Sequence, residues 1–139
     1  MSDYHSDSRE TEDIRFPSGR WAGYECSPEE GRIRLLLDLT FGGETIRGTL
    51  LSVPAGITIN GFVRREECHV VLRLHFAEDD VDVYSGISDG RRISGTWDCT
   101  RSGAKGEFRI WPIRGDGDGE SEEVSADAPL ELECVGVAV

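Results

Sequence analysis

Lysine is nearly missing from this chain: of its 15 basic residues, Lys105 alone is not arginine. That is a bias of composition, and no function follows from it. Apolar runs are short as well, none nearing the roughly 18 residues a membrane-spanning helix requires, so a helical membrane protein is excluded. The opening stretch MSDYHSDSRETEDIR has no apolar h-region, so no signal peptide is expected and the cytoplasm is the expected compartment. Four cysteines, Cys26, Cys68, Cys99 and Cys134, stand singly, with no Cys-x-x-Cys pair to suggest zinc or dithiol chemistry. Reduced, mostly buried thiols are expected of all four. A Gly-x-Ser-x-Gly turn, which would anchor a hydrolase, is absent, and so is any convincing amphipathic helix of ordinary length.

Acids outnumber bases, but unevenly. Residues 1–15 carry five acids and two arginines, residues 16–114 carry 14 acids against 13 bases, and residues 115–139 carry eight acids and no base. The formal charge of −12 therefore belongs to the tails. A nucleic-acid binder needs a basic face and a nucleic-acid mimic needs acids arrayed on a folded surface, so a nearly neutral core argues against both.

The core alternates with period two. In IRLLLDLTF, Ile33, Leu35, Leu37, Leu39 and Phe41 share one face; in HVVLRLHF, Val70, Leu72, Leu74 and Phe76 do the same. Each reads as a strand with one wet side. The same test places about eight strands near 19–26, 32–41, 44–52, 57–65, 68–77, 80–86, 91–99 and 105–112, at the spacing of a sandwich or barrel. Turn chemistry in FGGE, VPAG, SDGRR and RSGAK keeps the links short, which favours antiparallel neighbours in chain order. The expected fold is all-β: a single small antiparallel up-and-down β-barrel of about eight strands over residues 16–114, closed to remove its edges. Flexible acidic termini, 1–15 and 115–139, flank it.

Ile-x-Gly occurs at 46–48, 59–61 and 93–95, and Gly-x-Trp at 19–21 and 95–97. Glycine inside a strand points to sharp coiling or to a bulky neighbour close by. Trp21 and Trp97 are the expected neighbours, each Gly-x-Trp setting a gap beside a plug. A Gly-x-Trp on the first strand followed by a meander of short strands resembles the lipocalin, fatty-acid-binding and avidin barrels. That resemblance, covering residues 19–112, implies that Trp21 closes one barrel end with a basic residue packed across it, Arg109 or Arg114 here.

Chemistry-bearing groups are sparse. His69 and His75 are six positions apart on one strand, ~20 Å, too far to share a metal, and His5 lies in the tail. Asp80 and Asp82 in EDDVDVY share a face, read as an acid-solubilised edge or turn. GDGDGESEE at 115–123 lacks the glycine of an EF-hand loop and reads as a linker. No metal and no cofactor are expected, and no enzyme.

Two functions remain. The first is a non-catalytic interaction module. PLELECVGVAV alternates Leu130, Leu132 and Cys134 with Glu131 and Glu133 and ends in Val135, Val137 and Val139. These apolar residues are the candidate partner-binding set, held out by a self-repelling acidic linker for a protein that engages or processes them; alternatively they return to the barrel as an extra strand. The second is a small hydrophobic-ligand barrel, with Trp21, Tyr24, Tyr84, Trp97 and Phe108 as candidate cavity residues. Neither nucleic acid nor membrane is expected as a partner.

Overall fold

All the period-two stretches become strands. The computed structural model describes residues 13–113 and holds β1 (Gly19–Ser27), β2 (Gly31–Gly42), β3 (Thr45–Leu50), β4 (Ile57–Arg64), β5 (His69–Ala77), β6 (Asp80–Ser88), β7 (Ile93–Cys99) and β8 (Lys105–Pro112). Each pairs antiparallel with the next, and β1 pairs with β8, so the meander closes into an eight-stranded barrel. The one helical turn among the described residues is a 3₁₀ turn at Arg65–Glu67. It ends on Cys68, a non-glycine residue held at φ 57°.

Alternation decides which side chains fill the barrel. Trp21, Leu35, Leu37, Leu39, Ile46, Ile59, Val63, Val70, Leu72, Leu74, Ile93, Trp97, Phe108 and Ile110 form one buried cluster. The space among Leu35, Leu72, Leu74, Tyr84 and Phe108 at its centre has no room for a water molecule. Filling a small barrel with rings requires strands without side chains beneath them. A Cβ on Gly95 would lie 1.9 Å from the Ser85 carbonyl oxygen, and one on Gly86 would lie 2.9 Å from the Phe108 ring. At Gly48 and Gly61 the obstacle is likewise the backbone of the adjacent strand. Tight coiling, rather than a tryptophan, therefore explains Ile-x-Gly.

The two Gly-x-Trp sequences turn out to be different devices. Gly19 has open space around it and enters β1 at φ 133°, a conformation that suits glycine. Gly95 is a close-approach site. The plug of Trp97 rests over a different glycine, Gly106, whose Cβ would lie 2.9 Å from the indole nitrogen.

The end of the barrel where β1 starts is closed by a strap. Phe16 packs on Phe41 at 5.6 Å and Trp21 on Phe41 at 5.8 Å, while the Trp21 indole donates to the Pro17 carbonyl at 3.0 Å. Arg15 and Arg65 stack on Phe16, at 5.0 and 5.7 Å from its ring centre. Asp13 ties both, at 2.7 Å to Arg15 and 3.0 Å to Arg65. Trp21 thus sits at a closed end, but Arg109 does not cross it: Arg109 stands on the outer face opposite Tyr24, because Phe108 and Ile110 take the inward positions of β8. Asp13–Arg15, assigned from sequence to a tail, belong to this strap. The rest of both acidic termini, with Arg114, lies outside the described residues.

Candidate functional site at the barrel mouth

The opposite end of the barrel collects the polar groups. Trp21, Gly23 and Glu25 alternate along the inner face of β1, and Asp80, Asp82 and Tyr84 along that of β6. Tyr84 stands opposite Trp97, and Asp82 opposite Cys99. The Tyr84 hydroxyl donates a short hydrogen bond to Glu25 Oε1. Its ring stacks on Trp97 at 6.2 Å and meets Phe108 edge-on at 5.1 Å. The Trp97 indole passes over Gly106 to donate to the Cys26 carbonyl at 3.1 Å. Two polar side chains are thus held inside an apolar barrel by aromatic walls.

Burial sets the protonation. Loss of solvent raises the Glu25 carboxyl to about 7; the Tyr84 hydrogen bond opposes this and the charges of Asp82 and Glu30 reinforce it. Burial, and then the neighbouring Glu25, push the Tyr84 phenol far above its ordinary range. Asp82 is raised too, first by burial, with Asp80 and Asp98 adding repulsion and a Cys99 hydrogen bond opposing.

Asp80, Asp82 and Cys99 bring one ligand atom each within 4.8 Å of one another, and all three are half-buried. The Cys99 thiol donates to Asp80 at 3.4 Å. Two carboxylates and a thiol make a mixed donor set for a divalent cation. The acids expected at a solubilised edge therefore line the inside of the mouth. Their inward turn accompanies a register shift between His75 and Ala77, and it leaves Val81 and Val83 outside.

Of the candidate cavity residues, Trp21, Tyr84, Trp97 and Phe108 point inward and are buried. Tyr24 does not join them: alternation with Trp21 and Glu25 puts it on the outer face, where its ring meets Trp111 edge-on at 5.8 Å. His69 and His75 lie outside as expected, pairing with Ser85 at 2.9 Å and Asn60 at 3.2 Å. The thiols break the expectation of uniform reduction: Cys26 is disulfide-bonded, while Cys68 and Cys99 are free. Single spacing in a sequence carries no information on which strands meet. The partner-binding set Leu130, Leu132, Cys134, Val135, Val137 and Val139 lies outside the described residues.

Glu25 and Trp111 were missed from sequence. Glu25 had a usable signal, since it stands four positions from Trp21 and so on the same face of a strand. Comparison with known protein families found no family model that matches the chain, and a search of curated proteins found no match.

Proposed function

We propose that this chain is a non-catalytic protein-interaction module, a rigid barrel that carries the acidic linker and apolar segment 130–139 to a protein partner that engages or processes it. The observation that supports this reading is the filled interior. Leu35, Leu72, Leu74, Tyr84 and Phe108 meet with no room for a water molecule, whereas a ligand site of ordinary size takes roughly 300–1,000 Å³. The same packing argues against catalysis by Tyr84, because the space beside its ring has no room for a water molecule. A calycin-type kinship is proposed with it, supported by the closed eight-strand meander and by Trp21 at one end. The cytoplasm is the proposed compartment, where the Cys26 disulfide would be a reversible bond rather than a permanent one. Among the described residues no helix is long and apolar enough to cross a membrane.

The test compares the full chain with a chain ending at residue 114, both recovered from the native host. The module predicts a co-purifying protein that is lost on truncation, while the far-ultraviolet circular dichroism and cooperative unfolding of the barrel are retained. An unfolded truncated chain refutes it. A bound mass of a few hundred daltons on the intact barrel replaces it with the ligand-barrel reading.

A further inference from the structure

We propose that residues 129–139 of this chain dock on the outer face of β1 and β8 and are fastened there by a disulfide between Cys26 and Cys134. Burial is the first observation. Outward side chains of a closed barrel have no second layer of the same sheet above them, and most of those described are exposed or half-exposed. On β1 and β8 four are buried instead: Ala22 and Cys26 at 0% exposure, Tyr24 and Trp111 at 3%. They adjoin one another, Ala22 standing opposite Trp111 and Tyr24 touching it. The second observation is chemical. Cys26 is disulfide-bonded, Cys68 and Cys99 are free, and the sequence has four cysteines. Cys134 is the remaining thiol.

The segment suits the surface. In an extended conformation Leu130, Leu132 and Cys134 share one face, with the spacing at which Ala22, Tyr24 and Cys26 follow one another along β1. A bond between the cysteines returns the two leucines over Ala22, Tyr24 and Trp111. Arg32 and Arg34 on β2 and Arg109 on β8 flank this strip, opposite in sign to the eight acids of residues 115–139. Arg32 stacks on Tyr24 at 5.2 Å, and Arg32 and Arg109 are engaged groups. Reach is ample. Pro112 stands opposite Trp21, Cys26 is ~17 Å further along β1, and the roughly 20 residues after Ile113 extend up to ~70 Å. Every described strand already has both neighbours, so an apolar segment that returns here covers the outer surface rather than adding a strand.

Closing the bond takes one proton and one electron from each thiol. A low-molecular-weight disulfide accepts them and leaves as two thiols. Excess thiol reverses the exchange and releases the segment. This goes beyond the partner reading and does not depend on it, because the bond is mapped with no partner present.

Full-length protein, equilibrated in a glutathione buffer, alkylated and digested without reduction, gives the test. The expected result is one linked species joining the Cys26 and Cys134 peptides, separable by reduction, with Cys68 and Cys99 alkylated. Alkylated Cys134 in the oxidised sample, or its linkage to Cys68 or Cys99, overturns the proposal. Docking is tested separately with the L130D/L132D double variant, which leaves every described core residue intact. Loss of two apolar contacts is expected to move the thiol–disulfide equilibrium about tenfold or more toward the dithiol, and an unchanged equilibrium overturns docking. Capture of a partner by C26S, which breaks the same bond without touching the partner-binding set, is read independently, so its failure bears on the partner reading alone.

Discussion

Replacing Glu25 by glutamine should make the protein more stable at alkaline pH, an unusual outcome for a buried position. In the folded chain the Glu25 carboxyl is raised to about 7, chiefly by burial. In the unfolded chain it ionises near 4.5. The folded state therefore holds a proton that the unfolded state has released, and stability falls as pH rises through this window. The full contribution is present below the unfolded value and is lost above the folded one. Between pH 5 and 8 the loss amounts to about 2–3 kcal/mol. Glutamine keeps an oxygen to accept from Tyr84 and has no charge to expose. Urea titrations of both proteins from pH 5 to 8 should show the wild-type midpoint falling by roughly 1–2 M relative to Glu25→Gln. Effects of pH common to both proteins cancel in this difference, which reports Glu25 together with the charges coupled to it. A difference that stays constant across this range would refute the reasoning, for it would mean that the Tyr84 hydrogen bond outweighs desolvation and the carboxylate is ionised in the fold.

Asp13 should behave in the opposite sense: its arginine hydrogen bonds hold the carboxyl well below its ordinary range, so Asp13→Asn should lower the melting temperature at pH 7 and match wild type once the pH falls well below the ordinary 3.8. Trp97→Phe removes the hydrogen bond to the Cys26 carbonyl and opens space over Gly106, and should cost about 2–4 kcal/mol in urea unfolding. Gly95→Ala meets backbone at 1.9 Å and should cost more than about 3 kcal/mol or prevent folding. A normally folded Gly95→Ala would show that β6 and β7 are free to separate.

The fold was legible because period two is a local property. Eight alternating stretches with short turns leave few topologies, and the strand limits agree with expectation to within two residues at nearly every end. The site was less legible because alternation gives faces without saying which face is inside. In DVDVY alternation sets Val81 and Val83 opposite Asp80, Asp82 and Tyr84 without choosing between the faces; the acids and Tyr84 take the inward positions, with Tyr84 paired across from Leu72 and Trp97. Nor could spacing reveal that the carbonyl above Gly106 belongs to Cys26, far along the chain, or that the thiol of that same residue is in a disulfide.

The strand that departs furthest from its expected pattern is β1. A strand wet on one side alternates, whereas one covered on both sides reads as a continuous buried run. From Trp21 to Cys26 every residue of β1 is buried, a longer run than in any other described strand. Its inner positions hold Trp21, Gly23 and Glu25, and its outer positions hold Ala22, Tyr24 and Cys26. The inner set packs against the barrel core and buries a carboxyl whose proton is held more tightly than in solvent. The outer set places a small, an aromatic and a disulfide-bonded side chain where a solvated barrel would have charge. A sequence that keeps such residues on a wall facing outward is adapted to a covering layer, and the arginines of the flanking strands suit that layer to an acidic segment with apolar alternate residues.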